Sequence, residues 1–301
     1  MSFFKRYRSH LSVLLGASLW GLIGLFTRPL YETGLAPINV VAVRNFGGLL
    51  VLAAIFAVKD RSVFRIKAKH LPIFFGTGII SVLLFTVCYF NCQKLASLAV
   101  SAILLYLAPT FVVVMSALLW KDKLTVNKLL ALVLALVGCA LVSGVVGGDL
   151  TVTLKGFLFG IGSAFFYALY SIFGRYALVH YHPYTVTVWT FVFAGCGALI
   201  FADIPTLAAT LCDGKNILTA LGLVVVATVL PYIFYTEGLS GMESGAASII
   251  ASVEPVVAAL VGIFVYREEM SIWVALGVVC VLGGVVLLAG KGKDGKAYGK
   301  A

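Results

Sequence analysis

The chain has 301 residues, 61% of them hydrophobic and 11% charged, with a net charge of +10. Globular domains carry roughly 25% charged residues, and a soluble core of this size could not hide so much apolar surface, so a soluble fold is excluded. The basic residues flank apolar runs and do not form a patch, which excludes nucleic acid as a partner.

Windows of about 20 apolar residues match the length of a bilayer crossing. The sequence predicts ten, at 11–28, 38–58, 71–92, 97–120, 126–146, 154–175, 184–203, 216–236, 245–266 and 271–290. The basic segment 1–10 precedes an apolar run reaching Phe26. That run exceeds the roughly 7–15 residues of a signal-peptide core and is expected to remain as the first span. Pro37 and Pro183 each precede a span, where a missing N–H costs nothing. The polar connection Lys59 to His70 interleaves Val63, Phe64 and Ile66 with bases and suits a membrane surface. Gly147-Gly148-Asp149 opens a linker, 147–153, between a first half at 11–146 and a second at 154–290. A lysine-rich tail, 291–301, closes the chain.

The two halves repeat. VSAILLYLAPTFVVVMSALLWKDKLT, Val100 to Thr125, aligns without a gap on AASIIASVEPVVAALVGIFVYREEMS, Ala246 to Ser271, at an offset of 146 residues. Pro109 meets Pro255, Trp120 meets Tyr266, Lys121 meets Arg267, Asp122 meets Glu268 and Thr125 meets Ser271. A mid-span proline removes a helix hydrogen bond and is tolerated in a membrane where a cavity or neighbouring helix satisfies the freed carbonyl. Paired broken helices in corresponding positions point to a transporter.

Lysine and arginine counts orient the chain. With the N-terminus inside, sixteen of the 22 fall in cytoplasmic segments and five outside (Arg28, Lys94, Lys155, Lys215, Arg267). Arg44 alone lies within a span. Both termini are therefore expected in the cytoplasm. Five spans per half would insert the second copy upside down, placing a binding region near the midplane between the halves.

Two charges sit well inside spans, Arg44 and Glu254, each costing about 2.5–3.5 kcal/mol at a helix centre unless paired or hydrated. Their repeat counterparts are Thr190 and Ala108, so symmetry demands neither. Glu254 is a candidate for a substrate amine or a proton, or a structural acid. Arg44 is a candidate for a carboxylate or phosphate, or a latch near the outer face. Trp20, Tyr106, Tyr167 and Tyr170 lie deep enough to line a cavity or to pack between helices. Tyr89, Trp120, Tyr176, Tyr181, Tyr184, Tyr235 and Tyr266 lie closer to span ends and read as interfacial belt. The six scattered cysteines and His180-x-His182 lack ligand spacing for a metal. No Walker, HExxH or GxSxG pattern occurs, which leaves no ATP motor and weakens a membrane enzyme as the alternative. A passive channel is the other rival, distinguished by the absence of counterflow. No cofactor is expected.

The SVEPVVAALVGIFVYREEMS segment with the glycines of the last span resembles the second domain of the EamA-type drug/metabolite transporters. GASLWGLIGLF, APINVVAVRN and APTFVVVMSALLWKDKLT resemble the first. The resemblance covers residues 11–290 and implies an all-α polytopic membrane protein of ten helices in two inverted five-helix repeats. Spans one, three, four, six, eight and nine would surround a central cavity. It further implies export of an amino acid or other small metabolite across a bacterial inner membrane, with Trp20, Arg44, Pro109, Glu254 and Pro255 on the family's motif positions. Some relatives carry an acid where Ala108 stands, so a two-acid proton scheme does not transfer. The expected partners are a small molecule and membrane lipid, with a monomer compatible with the pattern.

Overall fold

Apolar runs bounded by proline and capping hydroxyls become helices along the whole chain. The structure, a computed structural model, describes residues 3–144, 146 and 150–289, with side chains from Tyr7 onward. The Gly147-Gly148-Asp149 join and the 291–301 tail lie outside the described residues. In the first half the helices are α1 (Phe3–Gly21), α2 (Ile23–Glu32), α3 (Pro37–Lys59), α4 (Leu71–Phe75), α5 (Leu84–Leu95), α6 (Leu98–Leu105), α7 (Ala108–Trp120) and α8 (Val126–Val142). In the second they are α9 (Leu154–Leu178), α10 (Pro183–Leu199), α11 (Ile204–Leu211), α12 (Gly214–Val224), α13 (Leu230–Ser240), α14 (Ser244–Ala251), α15 (Glu254–Tyr266) and α16 (Ile272–Ala289). Wider π-type turns at Gly76–Leu83 and Val225–Val229 join α4 to α5 and α12 to α13.

Among the described residues, eight helices are long and apolar enough to cross a membrane, or nine if α10 and α11 count together. Two of the ten predicted windows differ. The 126–146 window holds the 17-residue α8, about 25 Å long against a hydrocarbon core of about 30 Å, and the chain leaves the helix at Ser143 and Gly144 (φ +78°). The 184–203 window ends as helix at Leu199, and the chain turns by 108° into α11. Asp203 drives that turn. Its N–H donates to Asn39 Oδ1 at 2.8 Å, and its carboxylate accepts from the Thr206 hydroxyl (2.7 Å) and N–H (3.3 Å).

The 146-residue offset persists in the element boundaries: α6 and α14, α7 and α15 start and stop at corresponding residues, and α8 and α16 start at corresponding ones. Lys121 and Arg267, each just after its helix, both take the left-handed conformation (φ 57° and 60°), rare without glycine. Thr125 and Ser271 cap α8 and α16 through the N–H groups of Lys128 (3.3 Å) and Val274 (3.2 Å).

Packing partners also correspond across the halves. Helix α1 packs on α13 as α9 packs on α5, and on α14 and α15 as α9 packs on α6 and α7. The central pairs are α3 with α10 and α8 with α16. At the α8–α16 contact, a Cβ at Gly138 would stand 2.7 Å from the Gly277 carbonyl, and one at Gly284 would stand 3.0 Å from that of Ala131. Backbones meet there, as small residues permit in a membrane.

Candidate functional site

Pro109 and Pro255 have no N–H for the carbonyls of Leu105 and Ala251. The chain leaves helical geometry just before each proline, at Tyr106–Leu107 and Ser252–Val253, although each broken pair still counts as one 23-residue span. The first helix breaks beside them, at Leu22 between α1 and α2. A Cβ at Gly21 would lie 2.7 Å from the Glu254 carbonyl and 2.6 Å from Val257 Cβ, so only glycine fits that crossing. Three interruptions thus meet at Glu254.

Glu254 opens α15 with its carboxylate 3.4 Å from the Tyr167 hydroxyl, which donates to it. Around it, Leu105, Tyr106, Ala108, Pro109, Tyr167, Tyr235, Ser248, Ala251 and Ser252 line a cavity of about 20 Å³, room for one water. Both residues whose carbonyls lose a proline donor are in that wall. A second cavity of the same size is lined by Trp20, Ser81, Val82, Phe85, Tyr167, Tyr170, Ser171, Tyr232 and Tyr235. Tyr167 and Tyr235 belong to both walls. The lining comes from the first, third, fourth, sixth, eighth and ninth apolar windows, the six that the resemblance implied.

The aromatic wall is tied by packing and by hydroxyls. Trp20 meets Tyr232 edge-on at 5.1 Å between ring centroids and Tyr235 at 5.3 Å, and Tyr170 meets Tyr232 at 5.1 Å. Such contacts add about 0.5–1.5 kcal/mol per pair beyond burial. Tyr170 Oη and Thr236 Oγ1 share a hydrogen bond of 2.7 Å, as do Ser171 Oγ and Tyr235 Oη. Trp20 Nε1, Ser252 Oγ and Arg44 Nε are buried without a hydrogen-bond partner, leaving donors for a polar guest.

Five of the six sequence-predicted binding residues line the two cavities, and Arg44 lines neither. Trp20 and Tyr170 lie in the aromatic cavity and Tyr106 and Glu254 in the other, with Tyr167 between them. Arg44, in α3, stands within electrostatic range of Glu254, Tyr167 and Tyr232, with no acid at salt-bridge distance among the described residues. Trp20 and Tyr170 are buried, whereas Arg44, Tyr106, Tyr167 and Glu254 keep partial exposure.

The structure corrects one sequence expectation. Tyr235 is no belt residue: it is 4% exposed and lines both cavities, because α13 runs on to Ser240 and carries it a full turn deeper than the apolar window implied. Outside the span centres, two further charges are enclosed among the described residues. Arg175 and Lys128 are buried at helix ends through ion pairs with Asp122 and Glu243. Tyr232, Ser248 and Ser252 were missed as well. Ser252 was findable, being the repeat counterpart of Tyr106.

Known proteins resemble this chain over most of its length. The profile of the EamA-like transporter family matches residues 8–144 and 154–290. An uncharacterized transporter of Archaeoglobus fulgidus is 27% identical over 92% of this chain and 94% of its own length. The uncharacterized inner membrane transporter YicL of Salmonella typhimurium is 27% identical over 93% of this chain and 94% of its own. A solved crystal structure shares the fold with a TM-score of 0.77 over 94% of this chain and 96% of that one, at 19% identity. The chain is a multi-pass membrane protein and belongs to the EamA-like transporter family.

Proposed function

We propose that the chain is a secondary transporter that exports a small metabolite, an amino acid by preference, across a bacterial inner membrane by alternating access. The observation that carries this is Glu254 itself. It is a carboxylate at a helix interruption, hydrogen-bonded to Tyr167, within range of the Arg44 cation and beside an aromatic cavity with an unpartnered indole N–H. A zwitterion matches that set: ammonium to Glu254, carboxylate to Arg44, apolar side chain against Trp20, Tyr170 and Tyr232. Tyr106 and Tyr167 complete the wall, and Pro109 and Pro255 are the flexing points.

In this reading α8 and the α10–α11 segment cross along with the eight long helices, giving ten spans in two inverted halves, with both termini cytoplasmic. The exchange of packing partners between halves supports the inversion, because α1 on α13 answers to α9 on α5, as two inverted halves would require. The exclusion of an enzyme rests on the family and on the absence of a catalytic motif in the sequence.

The test is counterflow in proteoliposomes preloaded with one pool each of amino acids, nucleosides or polyamines. Saturable entry of labelled substrate is expected with the amino-acid pool. Entry only with another pool would replace the substrate class, and flux that neither saturates nor exchanges would replace the carrier by a channel.

A further inference from the structure

Two clusters of the same composition close opposite ends of the helix bundle. At one end the Arg175 guanidinium, on α9, lies 4.1 Å over the Trp120 ring and forks onto Asp122, with Nη2 3.1 Å from Oδ1 and Nη1 on Oδ2. The two charged side chains are only 4% and 9% exposed. At the other end Arg28, on α2, lies 4.2 Å over the Tyr266 ring, and its Nη1 stands 3.5 Å from Glu268 Oε1. These two are 54% and 58% exposed.

The clusters are related by the repeat. Trp120, Lys121 and Asp122 correspond to Tyr266, Arg267 and Glu268, and in both the acid follows a left-handed non-glycine residue that turns it back towards the bundle. Arg28 corresponds to Gly174, one residue from Arg175. In each cluster the arginine comes from one half and the acid and aromatic from the other. One is a desolvated, bidentate pair; the other is a single stretched contact in solvent, of the kind that contributes little.

The difference matches the exposure of the site between them. Towards the Arg175 end, Tyr170, Tyr232 and Tyr235 are buried, and Ser171 holds Tyr235 one helical turn below Arg175. Arg44, Tyr106, Tyr167 and Glu254 keep partial exposure. Resting on the alternating-access reading, we propose that Asp122–Arg175–Trp120 and Glu268–Arg28–Tyr266 are the two seals of the transport cycle. The structure stands in the state with the first closed and desolvated and the second stretched and solvent-exposed, and transport requires them to exchange.

The test reads conformation and does not need the substrate. Ser171→Cys is introduced beneath the Arg175 seal, and its labelling by a membrane-impermeant maleimide from that side is followed by peptide mass spectrometry, which resolves it from the six native cysteines. Labelling is expected to be slow in the parent and at least ten-fold faster with Asp122→Asn. The charge swap Asp122→Arg with Arg175→Asp should slow it again, and Glu268→Gln should leave it slow. An unchanged rate in a folded Asp122→Asn protein overturns the proposal and leaves the pair as a structural staple. If the single variant does not fold, fast labelling in a folded charge swap overturns it equally. Faster labelling without counterflow in the parent would sink the transporter reading while the seal stands; counterflow with unchanged labelling would do the reverse.

Discussion

At the residue scale, Glu254 is the charged member of a cavity wall that is otherwise neutral and partly aromatic, with the Arg44 cation within electrostatic range, so on the proposed reading its charge dominates the cavity. Glu254→Gln keeps shape and a hydrogen bond to Tyr167 while removing the charge. It is expected to lower counterflow at least 100-fold with an unchanged melting temperature; near-normal flux in a stable variant would remove the acid from the site. Gly21 is the second sensitive position. A methyl there would meet the Glu254 carbonyl and Val257 at under 3 Å, so Gly21→Ala must push α15 away from α1 and is expected to cost about 1–3 kcal/mol as an overpacking change. Thermal unfolding with a parallel flux assay checks this, and a variant equal to the parent in both would show that the crossing has slack. The belt and the cavity use the same aromatics, so composition could not sort Tyr235 from Tyr266. Only the true end of α13 does. Arg175 was illegible for another reason: its partner, Asp122, lies 53 residues away.

At the element scale, the paired interruptions were the most legible part of the fold. A proline with its aromatic, base, acid and capping hydroxyl repeats at one offset, and the helices break within two or three residues of the prolines, as loss of the i−4 hydrogen bond requires. The breaks sit beside the cavity at Glu254, so flexing there would move the halves of α6–α7 and α14–α15 separately. Pro255→Ala restores a donor for the Ala251 carbonyl and stiffens the segment. Turnover is expected to fall about ten-fold with a half-saturation constant within about two-fold of the parent; a change in binding alone would show that the interruption shapes the site without gating it. What periodicity could not give was the length of α8 and the turn after α10. Both lie inside windows that hydropathy alone would run through: α8 ends just before Gly144 with its positive φ, and the turn after α10 is held by the Asp203 carboxylate.

At the scale of the whole molecule, sixteen bases against five predict both termini on one side, which requires an even number of crossings. Reporter fusions at the two ends, one active only in the cytoplasm and one only outside it, are expected to give the cytoplasmic signal at both. Opposite signals would mean an odd count and would make α8 or the α10–α11 segment an element that does not cross. Hydropathy made the membrane class plain, and the repeat made the two halves plain. The substrate was not legible, because the residues proposed to select it, such as Tyr167, Arg44 and Glu254, have no like counterpart in the other half.

The contact between α8 and α16 is reciprocal. Gly138 of one half faces Gly277 of the other, and Gly284, the counterpart of Gly138, faces Ala131, the counterpart of Gly277. A surface that pairs i with j and j with i is what two identical subunits present to each other. Along this seam the two halves therefore meet as two like subunits would, although they differ elsewhere, as Glu254 differs from Ala108.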